Sequence, residues 1–349
     1  MPIPESPEDM VMTNKALRIG PVTIQPPTIL APLAGITDLP FRLMAKDAGC
    51  GLVCSEMISA NGLVYGSKKT FKMLESTDRE RPLSIQIFGA DPGIMAEAAR
   101  MVEGAGADIL DINFGCSVKK VVKTDSGVAL MRDPQRAEKI MIAVRKAIAI
   151  PLTIKIRSGW DPSGKQAFEI ASMAEQCGVD ALCLHPRTAG QGFGGKAYWP
   201  LIAALKQKLS IPLIGNGDIT SPELAHDMFE QTGCEGIMIG RAALSDPDIF
   251  RRTSLFLENK IAEPLSLDDH FRMMGNYLKN SIDHHGESIA CNMMRSRLGF
   301  LVKGLPGCST FRKKLVLTTC EKDIRDCLSA FQLYLDSDHG KEQLARSDS

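Results

Sequence analysis

The sequence has no excess of charge of either sign: 41 Lys and Arg balance 41 Asp and Glu over 349 residues. That excludes a uniformly basic nucleic-acid binder but leaves room for a local basic patch. There are ten cysteines but no CxxC pair, so a zinc or cluster site has no ligand framework to start from. Most of the thiols sit in apolar runs such as Ala181-Leu182-Cys183-Leu184. That usage suits a reducing cytoplasm better than a disulfide scaffold. No run of about 18 apolar residues occurs, so no membrane span is expected. The N-terminus lacks the charged-then-apolar pattern of a secretion signal. No GxGxxG follows the first expected strand, and a covalently held dinucleotide is not indicated.

What is present is a rhythm. Residues 1–16 are polar, with three prolines, and read as a flexible leader; 18–24 read as a hairpin closing the bottom of a barrel. Short apolar strands are then expected at 28–31, 51–55, 83–88, 108–112, 152–156, 181–185, 213–215 and 236–239. Helical patterns lie between them at 39–48, 92–104, 134–147, 165–177, 199–208 and 222–231, with 62–74 irregular. Continuous apolar runs are what strands of a parallel sheet, buried on both faces, require. The fold class is therefore α/β: a (β/α)8 TIM barrel over 17–250, with an open doubly wound sheet as the competing arrangement. Almost every strand ends in glycine-rich or reactive chemistry. A barrel gathers eight such ends on one rim, whereas an open sheet spreads them along a line.

From residue 247 onward only helices are expected, at 247–258, 267–284, 288–302, 309–318 and 321–335. Residues 251–336 form a C-terminal all-helical domain, and 337–349 a polar tail without fixed structure. Between 270 and 325 there are ten Lys or Arg against four Asp or Glu. Arg295, Arg297, Lys303, Arg312, Lys313 and Lys314 cluster around the turn Gly304-Leu305-Pro306-Gly307. Such a cluster is either a solvated helical face or a surface for a phosphate backbone.

Several strand ends carry chemistry. Ile239-Gly240-Arg241-Ala242 offers backbone N–H groups and a guanidinium to a phosphate, and Asn216-Gly217-Asp218 lets a ligand approach the backbone. The loops after strands seven and eight are the usual phosphate cradle of barrels. Each motif alone is also a tight turn. Lys155 ends an apolar strand, where an unpaired ammonium is costly. It is either salt-bridged to Asp111 or Glu56, or set against a ring that gains negative charge on reduction, as a flavin does. Gln86 suits the edge of a flavin pyrimidine. His185 is either satisfied by backbone or a donor to flavin or substrate. Ala31-Pro32-Leu33-Ala34-Gly35 supplies small residues able to form a flat floor under a planar ring. Cys116 follows Asn113-Phe114-Gly115 at the mouth of a strand, among Asn113, Lys119 and Lys120.

These pieces, in order over about residues 28–315, resemble the tRNA-dihydrouridine synthase family, and most of all its bacterial B-type branch. They are Ala31-Pro32-Leu33-Ala34-Gly35-Ile36-Thr37-Asp38, Gln86-Ile87-Phe88-Gly89, Asp111-Ile112-Asn113-Phe114-Gly115-Cys116, Lys155-Ile156-Arg157-Ser158-Gly159-Trp160, His185-Pro186-Arg187-Thr188, Asn216-Gly217-Asp218-Ile219, Ile239-Gly240-Arg241-Ala242 and Lys303-Gly304-Leu305-Pro306-Gly307.

The resemblance implies FMN at the barrel mouth, NADPH as its reductant, and hydride delivery to C6 of a tRNA uracil, with Cys116 protonating C5. It implies FMN contacts from Pro32, Leu33, Ala34, Gln86, Lys155, His185, Asn216, Gly217, Asp218, Gly240 and Arg241. RNA contacts are expected from Lys119, Lys120, Arg187, Arg295, Arg297, Lys303, Arg312, Lys313 and Lys314. No metal, membrane or obligate protein partner is expected, and the expected compartment is the cytoplasm. The alternatives are the same reaction on rRNA, a small-molecule FMN oxidoreductase of the dihydroorotate dehydrogenase type, or a non-catalytic RNA binder on a decayed barrel. Ser117 stands where the family usually has proline, so the loop that delivers Cys116 is expected to be more mobile than usual.

Overall fold

The structure, a computed structural model, describes residues 15–337, 340 and 342–344. The expected leader therefore lies outside the described residues except for Lys15 and Ala16. So does most of the expected tail, although Gly340 and residues 342–344 are helical where no structure was expected.

An antiparallel hairpin comes first, β1 (Leu17–Ile19) and β2 (Val22–Ile24). The following strands are β3 (Thr28–Leu30), β4 (Leu52–Ser59), β5 (Leu83–Phe88), β6 (Ile109–Phe114), β7 (Leu152–Gly159), β8 (Ala181–Thr188), β9 (Leu213–Asn216) and β10 (Gly236–Ile239). They pair in parallel, each with its sequence neighbours, and β10 closes on β3 with Ile237 opposite Thr28. The closed barrel replaces the open sheet as the arrangement these runs adopt.

The helices of this part are α1 (Leu39–Asp47), α2 (Ala60–Val64), α3 (Lys68–Lys72), α4 (Pro92–Gly104), α5 (Lys119–Val122), α6 (Pro134–Ala147), α7 (Lys165–Gln176), α8 (Pro200–Lys206) and α9 (Pro222–Thr232). Three of them start on one local device. Asp91, Asp133 and Ser221 each accept a hydrogen bond from a backbone N–H of the first turn, and each is followed by proline. The side chain satisfies an orphan donor, and proline has no N–H to lose there.

The hairpin covers the N-terminal end of the barrel, as expected. Leu17, Ile19 and Ile24 are buried in one cluster with Ile29, Leu52, Ile109, Ala181 and Ile214. With that end packed, the C-terminal ends of the strands are left for chemistry. Beside α1, a buried ion pair ties Arg42 to Glu80 at 2.5 Å. The same guanidinium donates to the carbonyls of Thr37 and Glu75. It thereby fixes the loop after β3 to the irregular segment after α3.

The second unit holds α10 (Ala242–Ser245), α12 (Leu267–His285), α13 (Glu287–Leu301), α14 (Cys308–Leu315) and α15 (Glu321–Asp336). The division differs from a break at 250/251. Helix α11 (Ile249–Leu257) groups with the barrel, where it packs against α9, while residues 241–248 group with the helical unit. Ile249, Phe250, Thr253 and Leu257 form the buried stripe of α11, which accounts for its place. Among the described residues no helix is long and apolar enough to cross a membrane.

Candidate active site

The rim is built around one polar chain that runs between strand ends. Thr153 donates to Asp111 Oδ1 at 2.6 Å, and Gln86 Nε2 donates to Asp111 Oδ2 at 2.6 Å. Asn113 Nδ2 donates to Gln86 Oε1 at 2.8 Å. Parallel pairing sets this up: Gln86 lies opposite Asp111 in β5–β6, and Asp111 opposite Thr153 in β6–β7. Burial raises the Asp111 carboxyl, while the Gln86 and Thr153 hydrogen bonds and the Lys155 charge pull it back down. Gln86 is wholly buried, its amide nitrogen spent on Asp111 and its amide oxygen on Asn113.

Asn113 uses its other end on the thiol loop. Its Oδ1 accepts from Gly115 N at 3.1 Å and Cys116 N at 2.8 Å. The Cys116 carbonyl in turn accepts from Val128 N at 3.0 Å. Gly127 sits beneath it at φ +64, where a Cβ would come within 2.6 Å of that carbonyl. Trp160 Nε1 donates to the Val128 carbonyl at 2.9 Å, and Arg132 lies 3.5 Å over the Trp160 ring. Both backbone groups of Cys116, next to Ser117, are thus hydrogen-bonded. Asparagine geometry and Arg157 supply the anchoring. Desolvation raises the Cys116 thiol above its ordinary range, partly offset by a Val118 backbone bond and the charges of Arg157 and Lys155. The shift favours the protonated thiol.

Lys155 Nζ donates to Asn216 Oδ1 at 2.9 Å, and Asn216 Nδ2 to the Met238 carbonyl at 2.6 Å. Of the two options open in the sequence, the salt bridge to Asp111 or Glu56 is not the one formed. The ammonium is half-buried at the mouth and held by a neutral amide, and its charge also acts on the buried Asp111 carboxyl. Gly217, at φ +125, leaves no room for a Cβ, which would lie 2.8 Å from Ala197 and 3.0 Å from His185.

The loop after β8 depends on two arginines. Arg187 was expected as an RNA contact, but it is only 2% exposed. Its guanidinium grips Asp218 through both carboxylate oxygens at 2.7 Å and donates to the carbonyls of Gly194 and Gly195. A surface role is excluded by these bonds, and Asp218 is correspondingly engaged as a structural anchor. Arg187 Nη1 also lies 3.2 Å from His185 Nε2. Arginine has no acceptor, so His185 Nε2 accepts and its hydrogen resides on Nδ1. Phe193, 59% exposed, stacks with His185 at 6.4 Å.

Arg157 donates to the carbonyls of Gly115, Thr188 and Gly192 at 2.9, 3.1 and 2.9 Å. Arg157 and Phe193 also stand at the rim, and sequence reasoning did not single them out. The signal for Arg157 was the one that marked Lys155, a cation in an apolar strand.

Pro32 and Leu33 are half-buried and Ala34 exposed in the turn after β3, where Leu33 N donates to Thr37 Oγ1. Gly240 packs near Ala31, and a Cβ there would meet Ala31 Cβ at 3.5 Å. Arg241 is exposed and opens the one-turn helix α10, which groups with the helical unit. Lys119 and Lys120 are exposed on α5, immediately after the thiol loop.

Within the helical unit the expected cations separate. Lys303, Lys313 and Lys314 are exposed. Arg295 donates to the Thr318 carbonyl and Arg312 to the Gly299 carbonyl. Arg297 is 6% exposed and donates to Tyr277 Oη at 2.8 Å, so it stands inside the bundle and not on its surface.

Comparison with known proteins agrees with this arrangement. The family described as "Dihydrouridine synthase (Dus)" matches residues 29–333. The chain is 40% identical over 297 residues to tRNA-dihydrouridine synthase B of Pseudomonas aeruginosa, covering 85% of this chain and 90% of the relative. It is 37% identical to the protein of the same name from Salmonella typhimurium, covering 92% and 99%. Among solved structures, histamine dehydrogenase from Rhizobium sp. 4-9 superposes with a TM-score of 0.57 at 14% identity, covering 77% of this chain and 51% of that one. A 2-naphthoyl-CoA reductase complex superposes at 0.56 with 13% identity, over 72% of this chain and 53% of that one. The chain spans about half the length of each of these two structures, and the likeness is one of fold.

Proposed function

The chain belongs to the dihydrouridine synthase family of oxidoreductases, and from that premise we propose that it reduces the C5=C6 bond of specific uridines in tRNA to 5,6-dihydrouridine, with FMN as cofactor and NADPH as reductant. The observation that carries the reading is the placement of Cys116. The backbone N–H of Cys116 is held by Asn113 on the same rim as the Lys155 ammonium and the buried Gln86 amide.

The residues present fit a flavin. Lys155 offers N–H groups suited to a pyrimidine edge that gains negative charge, and Pro32, Leu33 and Ala34 form a small-residue floor. Gly240, where a Cβ would meet nothing closer than Ala31 at 3.5 Å, leaves backbone for a phosphate to approach. When bound and reduced, FMN supplies the hydride that C6 of the uracil accepts. Cys116 donates its proton to C5, so hydride and proton together saturate the double bond. Conjugation with the C4 carbonyl makes C6 the electrophilic carbon, and the proton must then reach C5. Arg157 and Asn113 hold the thiol loop for that transfer. The uridine must leave its stack to enter, a cost of about a few kcal/mol. Phe193 offers an exposed aromatic face at the mouth against which a displaced base can rest. Lys119, Lys120, Arg241, Lys303, Lys313 and Lys314 supply charge for the phosphate backbone. Such a substrate places the activity in the cytoplasm.

The test is mass-spectrometric mapping of dihydrouridine in tRNA and rRNA from cells lacking the gene, rescued with wild type or Cys116→Ala. Specific tRNA sites should vanish and return with wild type only. Loss confined to rRNA would move the substrate there, and full rescue by Cys116→Ala would remove the thiol from the acid role.

A further inference from the structure

The connection between β4 and β5 carries a surface that no step of the reaction uses. It leaves the rim directly: Ser59, the last residue of β4, pairs opposite Phe88, and α2 starts at Ala60. Two residues before Ser59, Met57 Sδ lies 4.0 Å from Nδ2 of Asn113, the side chain that holds the Cys116 N–H. Ala60 and Leu63 are buried and fasten α2 to the barrel. Gly62 lets α3 close against α2, because a Cβ there would come within 2.7 Å of Thr70 Oγ1. Ser67 N donates to the Gly62 carbonyl at 2.9 Å, and Ser67 Oγ accepts from Thr70 N. The segment is a built projection beside the mouth.

Its outer surface is cationic and aromatic. Helix α3 (Lys68–Lys72) buries none of its five side chains. Phe71 is 43% exposed, and Tyr65, in the turn before α3, is 75% exposed. Lys68, Lys69 and Lys72 are exposed, and Lys68 and Lys69 have no ion-pair partner among the described residues. At spacing i, i+3, i+4, Lys68, Phe71 and Lys72 share one helix face, so an open ring stands between two ammonium groups. Like charges four residues apart repel, and α3 has no acidic residue in its first turn to offset them. The barrel's own packing gives nothing in return. A flat ring joined to an anion relieves the repulsion and covers the aromatic surface. Enzymes that extrude a base draw part of their selectivity from the nucleotides on either side of it, and those nucleotides pass the mouth.

We propose that this projection binds the nucleotides flanking the target uridine, with a neighbouring base stacked on Phe71 or Tyr65 and its phosphates on Lys68, Lys69 and Lys72. The inference rests on the RNA reading above and deepens it. The barrel unit then grips the RNA next to the reacting base, on a segment where no RNA contact was expected from the sequence.

The test uses the full-length, flavin-loaded protein and unmodified tRNA. A Tyr65→Ala, Phe71→Ala variant should weaken tRNA binding and raise KM about tenfold with kcat unchanged, the effect of losing one stacked base. A Lys68→Gln, Lys69→Gln variant should lower the salt slope of binding by about two. A Lys146→Gln, Lys208→Gln control removes the same charge from exposed positions at other helix ends and should leave the slope unchanged. Ultraviolet crosslinking of wild type should attach Tyr65 or Phe71 to a nucleotide next to a uridine that the protein reduces.

Unchanged affinity, slope and KM in both patch variants would overturn the assignment while wild-type turnover stands. An equal fall of slope in the control, or a crosslink remote from any reduced uridine, would overturn it as well. Wild-type binding to phosphatidylglycerol vesicles that both patch variants lose, with tRNA binding intact, would assign the surface to a membrane instead. A wild-type protein that neither binds nor reduces RNA would overturn the functional reading together with the patch, and is told apart by the missing turnover.

Discussion

Arg157 and Gly115 are joined by a 2.9 Å hydrogen bond from Nε to the carbonyl oxygen, one residue short of the Cys116 thiol. The other end of the guanidinium holds the carbonyls of Thr188 and Gly192. One planar group therefore sets the spacing between the thiol loop and the loop that follows His185. Lysine cannot reproduce three donors in a fixed fork. Arg157→Lys should retain bound flavin and lower the rate of RNA reduction by about a hundredfold, the scale expected when a catalytic group shifts by about 1 Å. Single-turnover oxidation of the reduced protein by RNA measures this. An unchanged rate would show that Asn113 alone fixes the loop.

The thiol itself sets the alkaline side of the pH profile. Burial raises Cys116 above the free thiol, so the protonated donor persists to higher pH than an exposed cysteine would allow. Activity should hold through the ordinary thiol range and fall only above it. Cys116→Ala should cost about 10²–10⁴ in the reduction step while leaving reduction of the flavin by NADPH intact. A basic limb near neutrality would mean that the ionised thiol, and not the acid, is present during turnover.

Two cations near the basic turn should behave oppositely. Lys313 is exposed, and Lys313→Gln should weaken RNA binding and reduce its salt slope by about one without altering stability. Arg297 is buried against Tyr277. Arg297→Met should cost about 1–3 kcal/mol of stability through the lost buried hydrogen bond, with RNA affinity of the folded protein unchanged. Urea titration and filter binding on the same preparations separate the two effects. The reverse pattern would move the RNA surface to the other face of α13.

The barrel was readable because strands buried on both faces must be mostly apolar, as β10 is throughout and β5 and β6 are except at Ser84, Gln86, Asp111 and Asn113. The far ends of β7 and β8 were not. Arg157-Ser158-Gly159 and Pro186-Arg187-Thr188 look like loop chemistry, yet the ladder runs through them with a register shift. What keeps Arg187 buried is Asp218, 31 residues away, and no local pattern carries that information. The basic cluster erred for a reason that spacing does contain. Arg295 and Arg297 are two residues apart, and on a helix such positions do not share a face. Only one of them could have met an RNA, and the structure turns Arg297 inward. The thiol, the ammonium and the glycine turns were legible one by one. Their hydrogen-bonded partners were not, because Asn113, Gln86 and Asp111 meet only once β5 and β6 pair.

The cysteines that take no part in the chemistry should make the fold sensitive to alkali. Cys50 and Cys183 are wholly buried and pushed up to about 12, and Cys234 to about 11. In the unfolded chain these thiols ionise near 9, so above that pH the unfolded state binds fewer protons than the folded state. Their contribution is fully present below pH 9 and is lost progressively as pH rises toward 11–12. From pH 8 to pH 10 the loss should be about 1.4 kcal/mol per thiol, one pKa unit of linkage. Urea midpoints of wild type and a Cys50→Ala, Cys183→Ala variant at the two pH values measure it. The variant starts less stable, because each substitution leaves a small cavity, but it should lose about 3 kcal/mol less over the interval. Parallel losses in the two proteins would mean that other groups, and not these buried thiols, carry the alkaline response.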